Sequence, residues 1–266
     1  MAYYEGRGKR MIRVEDLHFS YGTKEVLKGI SFEADKGEFL CILGHNGAGK
    51  STLFKCILGL LKGYTGRVTA DGQELSKMKP AERARLIAYI PQAANPAFAY
   101  SVMDMVLMGT AASLSGRMSP GEKERKTAEN VLSRLGISDM ADRSYAEISG
   151  GEQQLVLIAR ALAQGAKILI MDEPTSSLDY GNQMRVQKQL RELISEGYTI
   201  IQSTHDPEQA YTFADKVVSI KDGKVYREGS PEEILDDELI RALYNIDVEM
   251  ISSDDLKARF FVLKEK

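Results

Sequence analysis

Cysteine is nearly absent: Cys41 and Cys56 are the two in 266 residues, each inside an apolar run, FLCIL and FKCIL. That count argues against a disulfide scaffold and for buried thiols in a reducing cytosol. Long apolar runs are missing as well. No stretch approaches the roughly 18 apolar residues that a membrane-spanning helix needs. The polar start, MAYYEGRGKRM, lacks the apolar core of a signal peptide. A soluble chain is expected, one whose membrane role would require a partner. An excess of positive charge is also lacking. Lys and Arg number 35 against 38 Asp and Glu, a net charge of −3, with both signs mixed along the chain. No nucleic-acid partner is expected from that balance. Internal repeats, low-complexity segments and long linkers do not occur. What is present, 43% hydrophobic and 27% charged residues, is the mixture of a globular protein. The length suffices for one large domain or a domain plus a lobe.

The patterning alternates between strands and helices. Residues 12–19 alternate in polarity, and Ile30 and Phe32 follow a short turn. Residues 39–43 are continuously apolar, as in a strand buried on both faces. A glycine-rich turn, GHNGAGK, leads into a helical pattern that runs through Leu60. Short strands are expected at 67–70 and 86–90. From Ser101 to Ala163 the pattern is helical, with helix starts at Ser101-Val-Met-Asp104 and at Ser119-Pro-Gly-Glu122. Strands return at 167–171 and 199–203, around a helix at 179–195. Asp222-Gly223 joins two apolar runs as a hairpin turn, and Ser230-Pro-Glu-Glu233 starts a last helix. The tail, 248–263, has the pattern of one more hairpin. This order predicts an α/β core with a mostly parallel sheet and a helical lobe inserted in it.

Three motifs carry chemistry. Gly44-His-Asn46-Gly47-Ala-Gly49-Lys50-Ser51-Thr52 fits GxxxxGK[ST] between a strand and a helix. Glycines let the backbone fold around phosphate with N–H groups pointing inward, and the helix presents its positive end to the same anion. Lys50 can reach β- and γ-phosphates, and the Ser51 hydroxyl can ligate Mg²⁺. The second motif, Ile168-Leu-Ile-Met-Asp172-Glu173, ends an apolar strand in two carboxylates. Carboxylates placed at that edge of an open sheet can hold Mg²⁺, through Asp172, and orient or deprotonate water, through Glu173. The third, Ser149-Gly150-Gly151-Glu152-Gln153, opens a helix. It reads as a second anion site at a helix N-terminus, or as a plain cap on a flexible turn.

Together these residues resemble the ATP-binding cassette (ABC) ATPases. Ile148-Ser-Gly-Gly-Glu-Gln153 is similar to the family signature LSGGQ, with Ile148 for Leu and Glu152-Gln153 where the signature Gln would stand. The resemblance implies a P-loop NTPase (RecA-like) core with an antiparallel β subdomain and an inserted helical signature lobe. Residues 1–92 and 164–230 would form the nucleotide-binding core, 93–163 the lobe, and 231–266 a short C-terminal helix and hairpin. Tyr21, in Phe-Ser-Tyr-Gly, would stack on adenine. Gln92, in Tyr-Ile-Pro-Gln, would touch nucleotide and metal. Asp179 lies in a D-loop match, and His205, in Ser-Thr-His-Asp, resembles the switch histidine. ATP and Mg²⁺ are the implied ligands. Gly44, Asn46, Gly47, Gly49, Lys50, Ser51 and Thr52 would contact nucleotide from one copy, and Ser149, Gly150 and Gly151 from the other copy of a homodimer. Glu173, His205 and Lys50 would be catalytic, and Ser51, Gln92 and Asp172 would serve the metal. His18 is expected on a strand surface, His45 in loop backbone, and the methionines from 103 to 118 in the lobe core.

The resemblance further implies an ATPase peripheral to the cytoplasmic face of the cell membrane. A multispanning permease would dock on the helical lobe, and a substrate-binding protein would act through that permease. Residues 88–92, 101–109 and 148–164 are similar to importer ATPases for iron–siderophore, haem and cobalamin complexes, with molybdate and tungstate importers as close relatives. A soluble ATPase of iron–sulfur cluster assembly is the alternative kept open here.

Overall fold

The computed structural model describes residues 10–92, 98–114, 119–253 and 258–264. Contacts divide the chain into two compact units: 1–77 with 199–266, and 78–198. In chain order the first unit opens with strands β1 (Arg10–Tyr21), β2 (Lys24–Asp35) and β3 (Phe39–Leu43). Helix α1 (Lys50–Ile57) and strands β4 (Thr65–Ala70) and β5 (Gln73–Glu74) follow. The second unit holds α2 (Pro80–Leu86), β6 (Ile87–Ile90), α3 (Val102–Leu107), α4 (Glu122–Arg134) and α5 (Gly150–Ala163). It ends with β7 (Ile168–Asp172) and α6 (Tyr180–Ser195). The chain returns to the first unit with β8 (Thr199–Thr204), α7 (Pro207–Phe213), β9 (Lys216–Lys221) and β10 (Lys224–Gly229). Helices α8 (Pro231–Ile234) and α9 (Asp237–Tyr244) and strands β11 (Val248–Ser253) and β12 (Ala258–Leu263) complete it.

In the first unit β2, β1, β4 and β5 form an antiparallel sheet in that order. A second sheet runs β10-β9-β3-β8, with β3 parallel to both neighbours. All five residues of β3 are buried, which explains its unbroken apolar sequence: both faces are covered. Each fully buried Leu, Ile or Phe there contributes roughly 2 kcal/mol from burial. The Asp222-Gly223 turn between β9 and β10 has both residues at positive φ, 51° and 79°, the geometry that a two-residue hairpin requires. In the second unit β6 and β7 pair in parallel, Ile90 opposite Met171. Cys41 and Cys56 are buried and free; burial pushes the Cys41 thiol far up and the Cys56 thiol up to about 11.

Four sequence expectations differ in detail from the structure. α4 begins at Glu122 rather than with Pro120 in its first turn, because Glu124 Oε2 accepts from Gly121 N at 2.9 Å and places the cap there. The helix after the glycine turn stops at Ile57, short of Leu60. The last helix is two: α8, capped by Ser230, stops after one turn, and Asp236 caps α9 by accepting from Leu239 N at 2.7 Å. Met118 lies outside the described residues; Met103 and Met105 are buried as expected, but Met108, at the C-terminal cap of α3, is 41% exposed and does not lie in the lobe core.

Candidate functional site

In the first unit the phosphate-loop sequence sits where β3 ends. The β-ladder continues one residue further, Gly44 N donating to Thr204 O at 3.3 Å. That bond sets the start of the loop beside the turn that carries His205. Gly47 and Gly49 have φ of 85° and 107°, conformations that a side chain would strain, so the loop can curl with its amides inward. α1 then starts at Lys50 with no side-chain cap on its N-terminus. An uncapped first turn directs backbone N–H groups and a partial positive charge outward. Lys50 is 5% exposed, and its Nζ donates to Gly44 O at 2.7 Å and to His45 O at 3.3 Å. Its charge is therefore held at the loop. Ser51, Asn46 and Gly47 are exposed at the mouth, and Thr52 is half-buried.

Tyr21 ends β1, 49% exposed, its ring edge-on to Phe19 at 4.9 Å. Phe19 braces the tyrosine while leaving ring surface open. His205 is exposed; its carbonyl accepts from the Tyr244 hydroxyl at 2.8 Å, and Asp206 caps α7 through Glu208 N and Gln209 N. His18 stands on β1 between Asp16 and Glu25, both at 3.0 Å, and hydrogen bonds to Glu25 and then Asp16 raise its pKa. His45 Nδ1 lies 2.8 Å from Asn46 O, a loop-backbone contact.

In the second unit the parallel pair β6–β7 brings Gln92, two residues beyond β6, to the end of the strand that carries Asp172 and Glu173. Gln92 Nε2 donates to Ser176 Oγ at 2.8 Å, and Ser176 Oγ donates to Glu173 O at 3.1 Å. Glu173 has φ of 45°, an uncommon value for a residue with a side chain. Tyr89 on β6 is pushed up to about 12, by burial first and by the charge of Asp172 second.

Ser149 caps α5, and the cap is reciprocal. Its Oγ accepts from Glu152 N at 3.4 Å, while Glu152 Oε2 accepts from Ser149 N at 2.7 Å and from Ser149 Oγ at 2.8 Å. The Ser149 N–H, then its hydroxyl, hold the Glu152 carboxyl below its ordinary range. Gln153 turns away and donates to Tyr145 O at 3.0 Å. Gly151 is needed for close approach within the chain, since a Cβ there would collide with the Asn182 side chain on α6. Asn182 in turn binds both carboxylate oxygens of Asp179, through its backbone N–H at 2.9 Å and its side-chain Nδ2 at 2.7 Å. Those bonds hold Asp179 below the usual carboxylate range. The sequence reading missed Asn182, Ser176 and Tyr244. The Asp179–Asn182 spacing is an N-cap signal, but nothing local points to the contacts with Gly151, Gln92 or the His205 carbonyl.

A glycine-rich loop closing β3 onto an uncapped helix, with a buried lysine across it, defines a P-loop nucleotide-binding protein. Comparison with known proteins gives the family. Residues 27–176 match the ABC transporter family model. An uncharacterized ABC transporter ATP-binding protein of Haemophilus influenzae is 40% identical over 91% of this chain and 92% of its own. A probable iron chelatin transport ATP-binding protein of Helicobacter pylori (strain J99) is 38% identical over 92% of this chain and 97% of its own. The solved structure of a transporter described as of the metal-chelate type, in an inward-facing conformation, superimposes with a TM-score of 0.85 at 31% identity, covering 97% of this chain and 98% of that one. The chain belongs to the ABC transporter family and is one of its ATP-binding, ATP-hydrolysing subunits. The iron–sulfur assembly alternative is not favoured, because these relatives are transport subunits. Among the described residues no helix is long and apolar enough to cross a membrane.

Proposed function

We propose that this chain drives an importer for metal-chelate cargo of the iron–siderophore, haem or cobalamin kind. It would work as a homodimer on the cytoplasmic face of a multispanning permease fed by a substrate-binding protein. The observation that carries the nucleotide chemistry is the uncapped N-terminus of α1 with Lys50 held across the loop. Support for the cargo class comes from the iron chelatin relative and the metal-chelate structure.

The backbone N–H groups of residues 47–52 would cradle the phosphates, Lys50 would offset charge at the β- and γ-phosphates, and the Tyr21 ring would stack on adenine. On the family reading, Ser51, Gln92 and Asp172 would supply a hydroxyl, an amide oxygen and a carboxylate, oxygen donors of the kind Mg²⁺ takes. The ion, when bound, offsets negative charge on the phosphates. Glu173 would accept a proton from the attacking water, and His205 would hold the γ-phosphate. Ser149, Gly150 and Gly151 of one copy would face the nucleotide of the other, with Asp179 beside that junction. ATP would then close the dimer by satisfying two helix ends at once, and its hydrolysis would release them.

The Glu173→Gln variant tests this reading. It keeps shape and hydrogen bonding but cannot take the proton. Hydrolysis should slow by roughly 10²–10⁴-fold while ATP binding survives. The variant should accumulate as an ATP-bound dimer on size exclusion. Unchanged turnover by a monomer overturns both the base and the dimer. Cargo is tested by co-purifying the permease and identifying the ligand on its binding protein, where a sugar would refute the metal-chelate reading.

A further inference from the structure

The amide of Gln92 can face a cation in two ways, and one of them is useless. Its oxygen can ligate a metal ion, whereas its NH₂ cannot. The side chain is exposed, so packing does not choose between them. A short directional chain of hydrogen bonds does. The Ser176 hydroxyl donates its single proton to the Glu173 carbonyl oxygen at 3.1 Å. Toward Gln92, Ser176 Oγ is left to accept, and the group that meets it at 2.8 Å is the amide NH₂, the orientation this network favours. Oε1 of Gln92 then points away from Ser176.

The same serine holds the turn after β7. Its backbone N–H also donates to the Glu173 carbonyl, at 3.3 Å. Glu173 sits at φ 45°, a conformation that persists only where its surroundings over-determine it. Two donors from one residue onto the Glu173 carbonyl provide that restraint.

We propose that Ser176 is a positioning residue. It sets the amide of Gln92 oxygen-outward for the metal and fixes the backbone turn that aims Glu173. This rests on the reading of Gln92 as a metal ligand and Glu173 as base. It also makes Ser176 the link by which displacement of Gln92 reaches the base.

The test measures binding as well as turnover. Mn²⁺ affinity is read by electron paramagnetic resonance on the full chain with a non-hydrolysable ATP analogue, alongside kcat, KM and melting temperature. Ser176→Ala should weaken Mn²⁺ binding and lower kcat, each by about 10-fold. KM for ATP, analogue binding without metal, and melting temperature should stay near those of the unaltered chain. Ser176→Thr, which keeps the hydroxyl, should restore both losses. Gln92→Ala should weaken Mn²⁺ binding to a similar degree, and Ser176→Ala added to it should weaken Mn²⁺ no further. A Ser176→Ala loss of Mn²⁺ affinity that persists in the Gln92→Ala background, a loss of analogue binding without metal, or losses that track a lower melting temperature overturn the proposal. If Gln92→Ala weakens Mn²⁺ and Ser176→Ala does not, Ser176 alone is misassigned. If Gln92→Ala leaves Mn²⁺ affinity intact, the metal-ligand reading beneath the proposal falls.

Discussion

Two helices of this chain start at glycine-rich turns, and their first turns are finished in opposite ways. α1 starts after Gly49 without a side-chain cap, and the lysine of its first turn, Lys50, is held at the loop by Gly44 O and His45 O. α5 starts after Ser149, and there Ser149 and Glu152 satisfy one another at 2.7 and 2.8 Å. An open helix end with a lysine beside it is an anion site by itself. A helix end closed by its own carboxylate is stable without a ligand. It admits a second anion only where that carboxylate gives way. The loop should therefore bind nucleotide in an isolated subunit, and the signature should contribute only when another copy brings a phosphate to it. This asymmetry gives the dimer a reason to depend on ATP.

The first way to break the comparison is at the open end. Lys50→Ala removes the one charge that the loop amides cannot replace. ATPase activity should fall by more than about 100-fold, the scale on which losing one electrostatic stabiliser acts, and ATP binding by calorimetry should weaken strongly. Near-normal turnover would show that the loop is not the phosphate site. At the closed end the better probe is Gly150. A Cβ there meets only Leu178 Cδ2, at 3.4 Å, an ordinary contact. Gly150→Asp thus puts a negative charge at the helix end without breaking the chain's own packing. ATP binding to the subunit should survive. In the Glu173→Gln background, ATP-driven dimerisation measured by equilibrium sedimentation should weaken by about 10-fold, or 1.4 kcal/mol. Unaltered dimerisation would remove the signature from the interface.

Gly151 shows how far the sequence could be read. The family resemblance places it against the nucleotide of the other copy, and the structure adds a nearer constraint in Asn182 on α6. A substitution there would disturb α5–α6 packing whatever the phosphate does. The motifs themselves were legible because each is local: strand, turn and helix start are contiguous, and spacing alone encodes them. The apolar β3, the Asp222-Gly223 hairpin and the Ser149 cap were legible for that reason. Gln92 and Ser176 lie 84 residues apart, and only the β6–β7 pairing brings them together. No periodicity carries that information. α9 does not stand apart from α8 in the sequence, because its eight residues follow the single turn of α8 with a break at 235–236 and the Ser230 capping signal precedes both.

The smallest expected effect sharpens the comparison most. Glu152→Gln keeps a side chain that can still accept from Ser149, since glutamine also completes a capping box. It removes the negative charge that closes the helix end. If that charge is what keeps the signature from taking an anion alone, the variant should form the ATP-bound dimer more readily. In the Glu173→Gln background the dimerisation constant should tighten by about 3-fold, in line with the few tenths to one kcal/mol that a charge at an exposed helix end contributes. The isolated subunit should lose a little stability in exchange, and the pH dependence gives the sign. The Ser149 N–H and hydroxyl lower the Glu152 pKa from its ordinary 4.5, and Arg143 and Arg185 add to this. A lowered carboxyl stabilises the fold above its ordinary pKa and loses that contribution as pH falls through the folded value. The unaltered subunit should therefore melt above Glu152→Gln by up to about 2 °C at pH 7. That gap should close below pH 4.5, as the carboxyl protonates. A variant that dimerises no better than its parent while showing this melting behaviour would mean that Glu152 caps the helix and nothing more. The two helix ends would then differ in stability but not in their access to phosphate.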